Sequence, residues 1–280
     1  MRSERVTQLV RRIHDDGPPL VCGIVNVTPD SFSDGGRFTT QAAAVRCGLL
    51  LVEEGADLID VGGESTRPGA RAVGEQEEID RVVPVIADLV DRTACPVSVD
   101  TSSPAVMLAA AEAGASMVND VRGLRRPGAM ESVAAGGVAV CISHMQGEPA
   151  TMQDAPTYDD VVAEVSAYLV GQAEICERAG TPRHAIVLDP GFGFGKTLAH
   201  NLQLLASLAD VASSYPLMAG LSRKGMLGVL TGRAVGDRMV ASVAAALVAA
   251  QRGARILRVH DVGPTRDAIA VWTAVRGADG

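Results

Sequence analysis

Residues 97–119 read VSVDTSSPAVMLAAAEAGASMVN, and this stretch contains a complete structural unit in its shortest form. The run Val97–Asp100, with two β-branched residues, predicts a short strand. Ser103–Ala113, which has a proline in its first turn, predicts a helix, and Gly114 is placed to end it as a C-cap. Met117–Asn119 predicts the next strand. Two strands joined through a helix are typical of a parallel sheet.

The same alternation extends in both directions from this unit. Further strands are predicted at Leu20–Val27, Leu58–Val61, Val138–Ser143, Ile186–Asp189, Leu217–Gly220 and Ile256–Val259. Further helices are predicted at Thr39–Glu54, Glu75–Asp91, Tyr158–Ala179, Leu198–Asp210, Asp237–Gln251 and Thr265–Val275. Gly55, Gly180 and Gly253 follow predicted helices, as C-caps do. Eight units spaced by roughly 35 residues are what a (β/α)8 TIM barrel requires.

We therefore expect an α/β chain with a single (β/α)8 TIM-barrel domain over residues 20–280 and an N-terminal extension over residues 1–19, to which we assign no function. A doubly wound open sheet is the alternative, but it usually has fewer strands at this length. Residues 191–195 read GFGFG, which is not the dinucleotide fingerprint G-x-G-x-x-G. Gly195-Lys196-Thr197 resembles the end of a P-loop, but Pro190 stands where the first glycine is required.

The composition narrows the class of function. The formal net charge of −8 disfavours a nucleic-acid binder that relies on a broad basic face. The five cysteines show no C-x-x-C spacing, so neither a zinc knuckle nor a thioredoxin-like pair is indicated, and reduced thiols are expected. The longest apolar stretch, Val243–Ala250, is too short to span a bilayer. We expect a cytoplasmic protein that binds neither nucleic acid nor membrane.

Nearly every predicted strand ends in polar residues. In chain order these are Asn26, residues 62–68, Asp100, Asn119 and Asp120, His144, Asp189, residues 222–224, Arg258 and His260. The carboxyl ends of barrel strands form one face, where active sites lie. So many desolvated polar groups at one face indicate a polar ligand that supplies their partners.

Three of these residues also have ordinary structural interpretations. Asp100 could cap the following helix. Asp120 could pair with Arg122 or Arg125 in a solvated ion pair of little energetic value. His144 could be a buried histidine with satisfied hydrogen bonds.

The side chains at this face indicate a ligand with two unlike halves. Cationic or imidazole groups come from strands 2, 7 and 8, and they are Arg67, Lys224, Arg258 and His260. Such groups suit a phosphate. Acceptors come from the opposite side, and they are Asp100, Asn119 and Asp189. Because a buried carboxylate binds paired N–H donors, a pterin or guanine-like head with a phosphate tail satisfies both halves. Asn26 could place Mg²⁺ beside the phosphates.

Eight short motifs in order identify a resemblance that runs from about Val21 to Ala274. They are residues 23–36 (GIVNVTPDSFSDGG), 60–69 (DVGGESTRPG), 98–101 (SVDT), 119–120 (ND), 144–147 (HMQG), 189–196 (DPGFGFGK), 222–224 (SRK) and 258–262 (RVHDV). In these motifs the chain resembles the dihydropteroate synthases, which belong to the pterin-binding TIM-barrel group. The resemblance implies a transferase of folate biosynthesis. It would join 6-hydroxymethyl-7,8-dihydropterin diphosphate to 4-aminobenzoate and release pyrophosphate.

The resemblance also implies roles for residues. It implies a pterin site of Asp100, Asn119, Asp189 and Lys224, and a diphosphate site of Arg258 and His260 with Val259 between them. It implies Mg²⁺ on Asn26, and closure of the site by Thr66, Arg67 and the 31–36 loop. It implies an aminobenzoate pocket, which sulfonamides occupy in this family, of Phe32, Pro68, Phe194 and Ser222. Asp34, Arg67, Lys224 and His260 are our candidate catalytic residues, with Asp34 as a partner of the magnesium or of the pterin cation.

The resemblance further implies a homodimer formed through barrel helices. Residues 242–250, rich in alanine, could pack at that interface or inside the monomer. Two other functions remain open. A pterin-binding methyltransferase would share Asp100, Asn119 and Asp189 but would not need the cations of an anion site. A non-catalytic pterin-binding paralogue is the second alternative.

Overall fold

The computed structural model describes residues 2–27, 37–64, 73–147, 151–211 and 214–278. Within them, eight parallel strands form a closed barrel in chain order. The strands are β1 (Leu20–Asn26), β2 (Leu58–Gly62), β3 (Val97–Asp100), β4 (Met117–Asp120), β5 (Ala139–Ser143), β6 (Ile186–Asp189), β7 (Leu217–Ala219) and β8 (Ala254–Val259). Pairing of β8 with β1, from Leu20 opposite Ile256 to Gly23 opposite Val259, closes the sheet. The predicted TIM barrel is confirmed, and the open sheet is excluded.

Helices surround the barrel. They are α1 (Arg2–His14), α2 (Arg37–Glu53), α3 (Glu75–Arg92), α4 (Pro104–Glu112), α5 (Ala129–Gly136), α6 (Val161–Arg178), α7 (Leu198–Ala206), α8 (Gly225–Thr231), α9 (Met239–Gln251) and α10 (Val262–Ala278). The predicted strands agree with the observed ones to within two residues. The four predicted C-cap glycines, Gly55, Gly114, Gly180 and Gly253, all have positive φ, between 94° and 110°.

Three of these helices have no counterpart among the predicted ones: α1, whose residues were assigned to an N-terminal extension, and the two short helices α5 and α8. α5 reads AMESVAAG and lies between Gly128 and Gly137, both of which adopt left-handed backbone conformations. α8 reads GMLGVLT and ends at Gly232, which is also left-handed. Both helices contain glycine, which weakens helix propensity. Buried side chains such as Val133 in α5 and Leu227 in α8 hold them against the barrel.

Each strand presents alternate side chains to two separate apolar layers. Met117 in β4 belongs to the cluster inside the barrel, whereas its neighbour Val118 belongs to the cluster between strands and helices. The inner cluster also contains Cys22 and Ile256. Because side chains alternate along a strand, the inward positions nearer the carboxyl ends continue this inner row.

Helix α1 covers the amino-terminal end of the barrel. Leu9 and Ile13 are each 1% exposed and pack into the inner cluster. Arg12 pairs with Asp57, which precedes β2. Arg255 donates from Nε to the carbonyl of Ile13 at 3.0 Å. The first residues of the chain therefore form part of the barrel's packing.

No helix within the described residues is long and apolar enough to cross a membrane. All five cysteines are free.

Candidate active site

A layer of polar side chains lies inside the barrel, directly above its inner apolar cluster. Asp60, Asp100, Asn119, Asp189 and Arg258 each stand two residues after an inward position on five different strands. Asp60 is 1% exposed, and Asn119 and Asp189 are 6% and 7% exposed. Groups buried to this degree need partners of their own or a ligand.

Arg258 bridges two carboxylates across the barrel. Its Nε donates to Asp60 Oδ2 at 2.6 Å, and its Nη2 donates to Asp100 Oδ2 at 2.7 Å. Asn119 Nδ2 also donates to Asp60 Oδ2, at 3.0 Å. Two carboxylates share one guanidinium, so the ionised group carries one net negative charge. Among the described residues, the buried Oδ1 of Asp60 has no hydrogen-bond partner.

This arrangement changes the titration of both kinds of group. Burial raises the pKa of Asp100 to about 7, with Arg258 opposing the rise and Asp60 adding to it. Burial alone would lower the pKa of Arg258, but Asp60 and Asp100 together raise it above its ordinary value. Arg258 therefore stays charged, whereas Asp100 exchanges its proton near neutral pH.

Asp189 lies across the barrel from this group. Its Oδ1 accepts from the backbone N–H of Gly191 at 2.7 Å. Burial raises its pKa, while Lys224 and that hydrogen bond lower it. A buried carboxylate between a backbone donor and an ammonium is placed to accept N–H groups of a ligand.

Lys224 follows β7 and reaches into the same space. Its Nζ donates to the carbonyl of Phe192 and lies 4.1 Å from the centre of the Phe194 ring. Burial lowers its pKa to about 8, against the effect of Asp189. Phe192 is fully buried, whereas Phe194 is half-buried and forms a wall beside the ammonium.

The loops after β7 and β8 bind each other through adjacent residues. Ser222 Oγ lies 3.0 Å from Nδ1 of His260 and accepts from its backbone N–H at 3.2 Å. Arg223 pairs with Asp261 at 2.6 Å. Arg223 has a φ of 59°, an unfavourable conformation for a residue with a side chain, and these contacts hold it there. His260 and Lys224 are thereby presented on neighbouring loops.

Asn26 ends β1 beside a space left by glycine. A Cβ atom on Gly62 would lie 3.8 Å from Asn26 Oδ1 and 3.7 Å from Asp100 Oδ2. The described residues contain no cluster of three or more His, Cys, Asp or Glu that could hold a metal by itself. The amide oxygen of Asn26 is consistent with the usual coordination of Mg²⁺, in which one or two protein oxygens are joined by phosphate oxygens and water.

The structure decides the three structural alternatives. Asp100 does not cap α4, because the N-cap residue is Ser103, and Asp100 binds Arg258 instead. Asp120 is fully buried and accepts from the backbone N–H groups of Arg122 and Leu124, so the solvated ion pair is wrong. His144 is a buried histidine with a hydrogen bond to Lys196, as the structural interpretation predicted.

The side chain of one predicted substrate-binding residue points away from the site, so only its backbone could meet a ligand there. Val259 is 2% exposed and packs in the cluster between strands and helices, because it occupies an outward position of β8. Its neighbours Arg258 and His260 occupy the inward positions. The predictions for Phe32, Asp34, Thr66, Arg67 and Pro68, and for the 31–36 loop, lie outside the described residues.

Two residues of this region were missed by sequence reasoning. Asp60 binds Arg258 and Asn119, and Lys196 lies buried in the loop after β6. A charged residue within the otherwise apolar run of β2 was the available signal for Asp60. The sequence shows Lys196 only as part of an incomplete P-loop pattern, which does not indicate what its side chain contacts.

The described part of the chain also has a cavity of about 580 Å³ at the opposite end of the barrel, between α1 and the residues around Val133 and Pro182. It contains none of the predicted site residues.

A closed barrel whose carboxyl-terminal face carries acidic and amide groups beside a lysine and a histidine is typical of enzymes that bind polar small molecules. Comparison with known proteins identifies the family. The family model for pterin binding enzymes matches residues 22–260. The dihydropteroate synthase of Escherichia coli strain K12 is 50% identical over 261 residues, which are 93% of each chain.

Solved structures agree with the sequence match. The dihydropteroate synthase of Xanthomonas albilineans with 4-aminobenzoic acid has a TM-score of 0.88 and 57% identity, over 92% of this chain and 93% of that one. The same organism's enzyme in complex with 7,8-dihydropteroate has a TM-score of 0.85 and 54% identity, over 92% and 94%. The chain belongs to the dihydropteroate synthases, a family of transferases among the pterin-binding enzymes. The predicted resemblance is confirmed.

Proposed function

We propose that this protein condenses 6-hydroxymethyl-7,8-dihydropterin diphosphate with 4-aminobenzoate to give 7,8-dihydropteroate and pyrophosphate. The observation that carries this proposal is the polar layer inside the barrel, in which Asp100, Asn119 and Asp189 face a common space with Lys224. Family membership and the 4-aminobenzoic acid and 7,8-dihydropteroate complexes of related synthases support it.

The pterin head is proposed to bind in the polar layer. Its 2-amino and ring N–H groups are donors, and the buried carboxylates of Asp100 and Asp189 are acceptors. Lys224 would donate to a carbonyl or ring nitrogen of the pterin. Asp60 would act through Arg258 and Asn119, because its Oδ2 accepts from both.

The diphosphate is proposed to lie toward His260 and the outer edge of Arg258. In the reaction the C–O bond between the pterin methylene and the diphosphate breaks, and its electron pair leaves with pyrophosphate. Cationic donors that are already in place stabilise the charge that develops on the leaving group. Mg²⁺ held by Asn26 would add positive charge beside the diphosphate oxygens.

The amine needs correct placement more than it needs a base. The nitrogen of 4-aminobenzoate is neutral at pH 7, and it forms the new C–N bond to the pterin methylene before it loses a proton to solvent. Phe194 and Ser222 are the described residues that we propose for its pocket. Phe32 and Pro68 would complete the pocket, while Thr66, Arg67 and Asp34 would close the site. Holding the amine and the methylene in contact accounts for a large part of the rate enhancement.

We also propose a cytoplasmic homodimer, with the dimer formed through α9 and α10. Val240, Val271 and Val275 on these helices are 75%, 67% and 58% exposed. The groove between the helices holds about 490 Å³ and is lined by Leu247 and Trp272. An apolar face of this kind is suited to a second copy of the chain.

Residues 242–250 were predicted to pack either at the interface or inside the monomer. Four of their five alanines, residues 245, 246, 249 and 250, are buried within the monomer and Ala244 is exposed, so the exposed valines would supply most of the contact with the partner. Light scattering should give twice the 28.9 kDa of one chain. Val271→Glu should halve that mass, whereas Leu50→Glu, on the exposed face of α2, should not.

The decisive experiment for the reaction is pyrophosphate release from the pterin diphosphate and Mg²⁺, with and without 4-aminobenzoate. Release that requires the amine, together with dihydropteroate identified by mass spectrometry, is the expected result. Asp189→Asn should lower kcat/KM strongly, and Asp210→Asn, at an exposed position, should not. Release without the amine would mean that water is the acceptor. Tight pterin binding without release would establish the non-catalytic paralogue.

A further inference from the structure

The chain has 25 lysine and arginine residues, but only Lys196 and Lys224 are lysines. Both lie in the loops that follow β6 and β7, within the candidate site. The other lysine-or-arginine positions all carry a guanidinium, which is larger and planar. The two lysines thus mark the positions in this chain where the cation is a compact ammonium.

Lys196 is 3% exposed, and three acceptors surround its ammonium. Nζ lies 2.8 Å from His144 Nδ1, 3.0 Å from the carbonyl oxygen of Gly191 and 3.0 Å from that of Phe194. A protonated lysine has three N–H donors and no acceptor. While Lys196 is protonated all three donors are used, and His144 then accepts at Nδ1 and carries its proton on Nε2. Burial, with the Lys196 charge adding to it, lowers the pKa of His144 to about 3, in agreement with a neutral ring.

The loop that Lys196 holds is residues 190–196, and its backbone fits tightly against the loop after β5. A Cβ atom on Gly191 would lie 1.8 Å from the carbonyl oxygen of His144, so only glycine fits at this position. The two lysines contact carbonyls of neighbouring residues in this loop. Lys196 takes those of Gly191 and Phe194, and Lys224 takes that of Phe192.

The loop also shapes both halves of the site. Gly191 N–H holds Asp189 Oδ1, and the Phe194 ring lies 4.1 Å from Lys224 Nζ. A shift of the loop would therefore move a pterin acceptor, the wall beside Lys224 and the carbonyl that binds Lys224 at the same time.

We propose that Lys196 is a positioning residue for the reaction, and that its ammonium holds the 190–196 loop in the conformation in which Asp189, Phe194 and Lys224 meet the substrates. This proposal rests on the proposed function. Lys196 does not touch the reacting atoms. It acts by binding two loop carbonyls and a neutral histidine at one point, a geometry that a planar guanidinium does not reproduce.

Lys196→Met is the first test, because methionine has nearly the same length and no donors. We expect kcat/KM for the pterin diphosphate to fall about tenfold to a hundredfold, as for the loss of charge-assisted hydrogen bonds. The dissociation constant of the unreactive 6-hydroxymethylpterin, measured by calorimetry, should rise by a similar factor. The melting temperature does not decide the role by itself, because the variant removes the desolvation cost of the ammonium but leaves three buried acceptors without a donor. A purely structural lysine predicts a lower melting temperature with unchanged kcat/KM and unchanged pterin affinity in the folded enzyme.

Two further variants sharpen the result. Lys196→Arg retains the charge and should fail to restore kcat/KM. Tyr158→Phe removes a neutral hydrogen bond, 2.9 Å long, to the Gly195 carbonyl of the same loop. This variant is the matched control, because it removes one neutral hydrogen bond to the same loop, and it should lower kcat/KM by less than about fivefold. Full activity in Lys196→Arg, or a Lys196→Met enzyme within fivefold of the original, would overturn the proposal. A Lys196→Met chain that does not fold would also overturn it, because the lysine would then serve the fold itself.

Nuclear magnetic resonance tests the contact without any turnover. Lysine labelled with ¹³C at Cε gives two side-chain signals in this chain, and Lys196→Met assigns them. Burial and the Lys224 charge lower the pKa of Lys196 to about 7, against the effect of Asp189, so its signal should titrate far below that of a free lysine. Below pH 7, where Lys196 is protonated, His144 should show an unprotonated Nδ1. A protonated Nδ1 would contradict the contact.

If the original chain released no pyrophosphate, the proposed function would fail, while pterin affinity and these spectra would still decide the role of Lys196.

Discussion

Replacing Asp60 should damage the barrel and its site together, although Asp60 was absent from the residues predicted from sequence. Asp60→Ala removes the acceptor shared by Arg258 Nε at 2.6 Å and Asn119 Nδ2 at 3.0 Å. Arg258 keeps its contact with Asp100, but its Nε and the Asn119 amide lose their partner inside the barrel. Removing one member of a buried ion pair costs about 3–5 kcal/mol.

That free-energy loss translates into a fall in melting temperature of about 6–20 °C, at about 2–4 °C per kcal/mol for a chain of this size class. The substitution also removes one negative charge next to Asp100. Because Asp60 contributes to the raised pKa of Asp100, that pKa should fall below about 7. Stability should therefore decrease while the acid limit of pterin binding moves to lower pH.

Differential scanning calorimetry and pterin titrations between pH 5 and 9 measure the two effects on the same protein. Asp60→Asn keeps an acceptor oxygen and loses the charge, so it should show most of the pH shift and only part of the loss of stability. If Asp60→Ala melted within about 2 °C of the original chain and bound pterin with an unchanged pH dependence, the bridging role of Arg258 would be refuted.

Three further predictions follow from the site and the fold. Pterin affinity should rise with pH toward 7, as Asp100 ionises and can accept N–H groups, and should fall above about 8, as Lys224 loses its proton. Titration of pterin across this pH range measures both changes, and Asp100→Asn should lack the rise toward pH 7. Phe194→Ala should raise KM for 4-aminobenzoate more than KM for the pterin diphosphate, and equal increases in steady-state kinetics would exclude Phe194 from the amine pocket. Leu9→Ala should lower the free energy of unfolding by about 2–5 kcal/mol in denaturant titrations but leave kcat unchanged, because Leu9 packs at the far end of the barrel. A lowered kcat in the folded variant would contradict the independence of the site from that end of the barrel.

The sequence predicted the architecture well because each local signal agreed with the next. The 97–119 unit contains a β-branched strand, a helix start, a glycine stop and a second strand, and the structure has all four in place. The prediction missed α1, which was assigned to an extension, and it missed α5 and α8, whose glycines hide the helical pattern. These helices form because the barrel surface binds their apolar side chains, and that tertiary contribution cannot be seen locally.

The sequence predicted those residues of the candidate site that stand at the ends of strands. It did not predict residues elsewhere in the chain whose side chains reach the same polar layer. Asp60 lies two positions before the end of β2, yet it reaches the polar layer, where Gly62 leaves space beside Asp100. Lys196 lies in a loop after β6 but extends back into the interior. The position of a residue in the sequence does not show how deep its side chain lies inside a barrel. It also does not show how far a lysine side chain extends from its loop. Val259 is the converse case, because it belongs to a functional motif but its side chain faces outward into the cluster between strands and helices.

The bridge formed by Arg258 has a consequence for how the chain acquires its structure. Arg258 comes from the last strand, and its partners Asp60 and Asp100 lie 198 and 158 residues earlier. During synthesis the ribosome makes both carboxylates long before it makes their cation. A nascent chain that stops before β8 has an open sheet edge and two acidic groups that cannot be neutralised inside it. We therefore expect ribosome-bound chains of that length to remain protease-sensitive, and the site and the completed barrel to form together, once translation has passed β8.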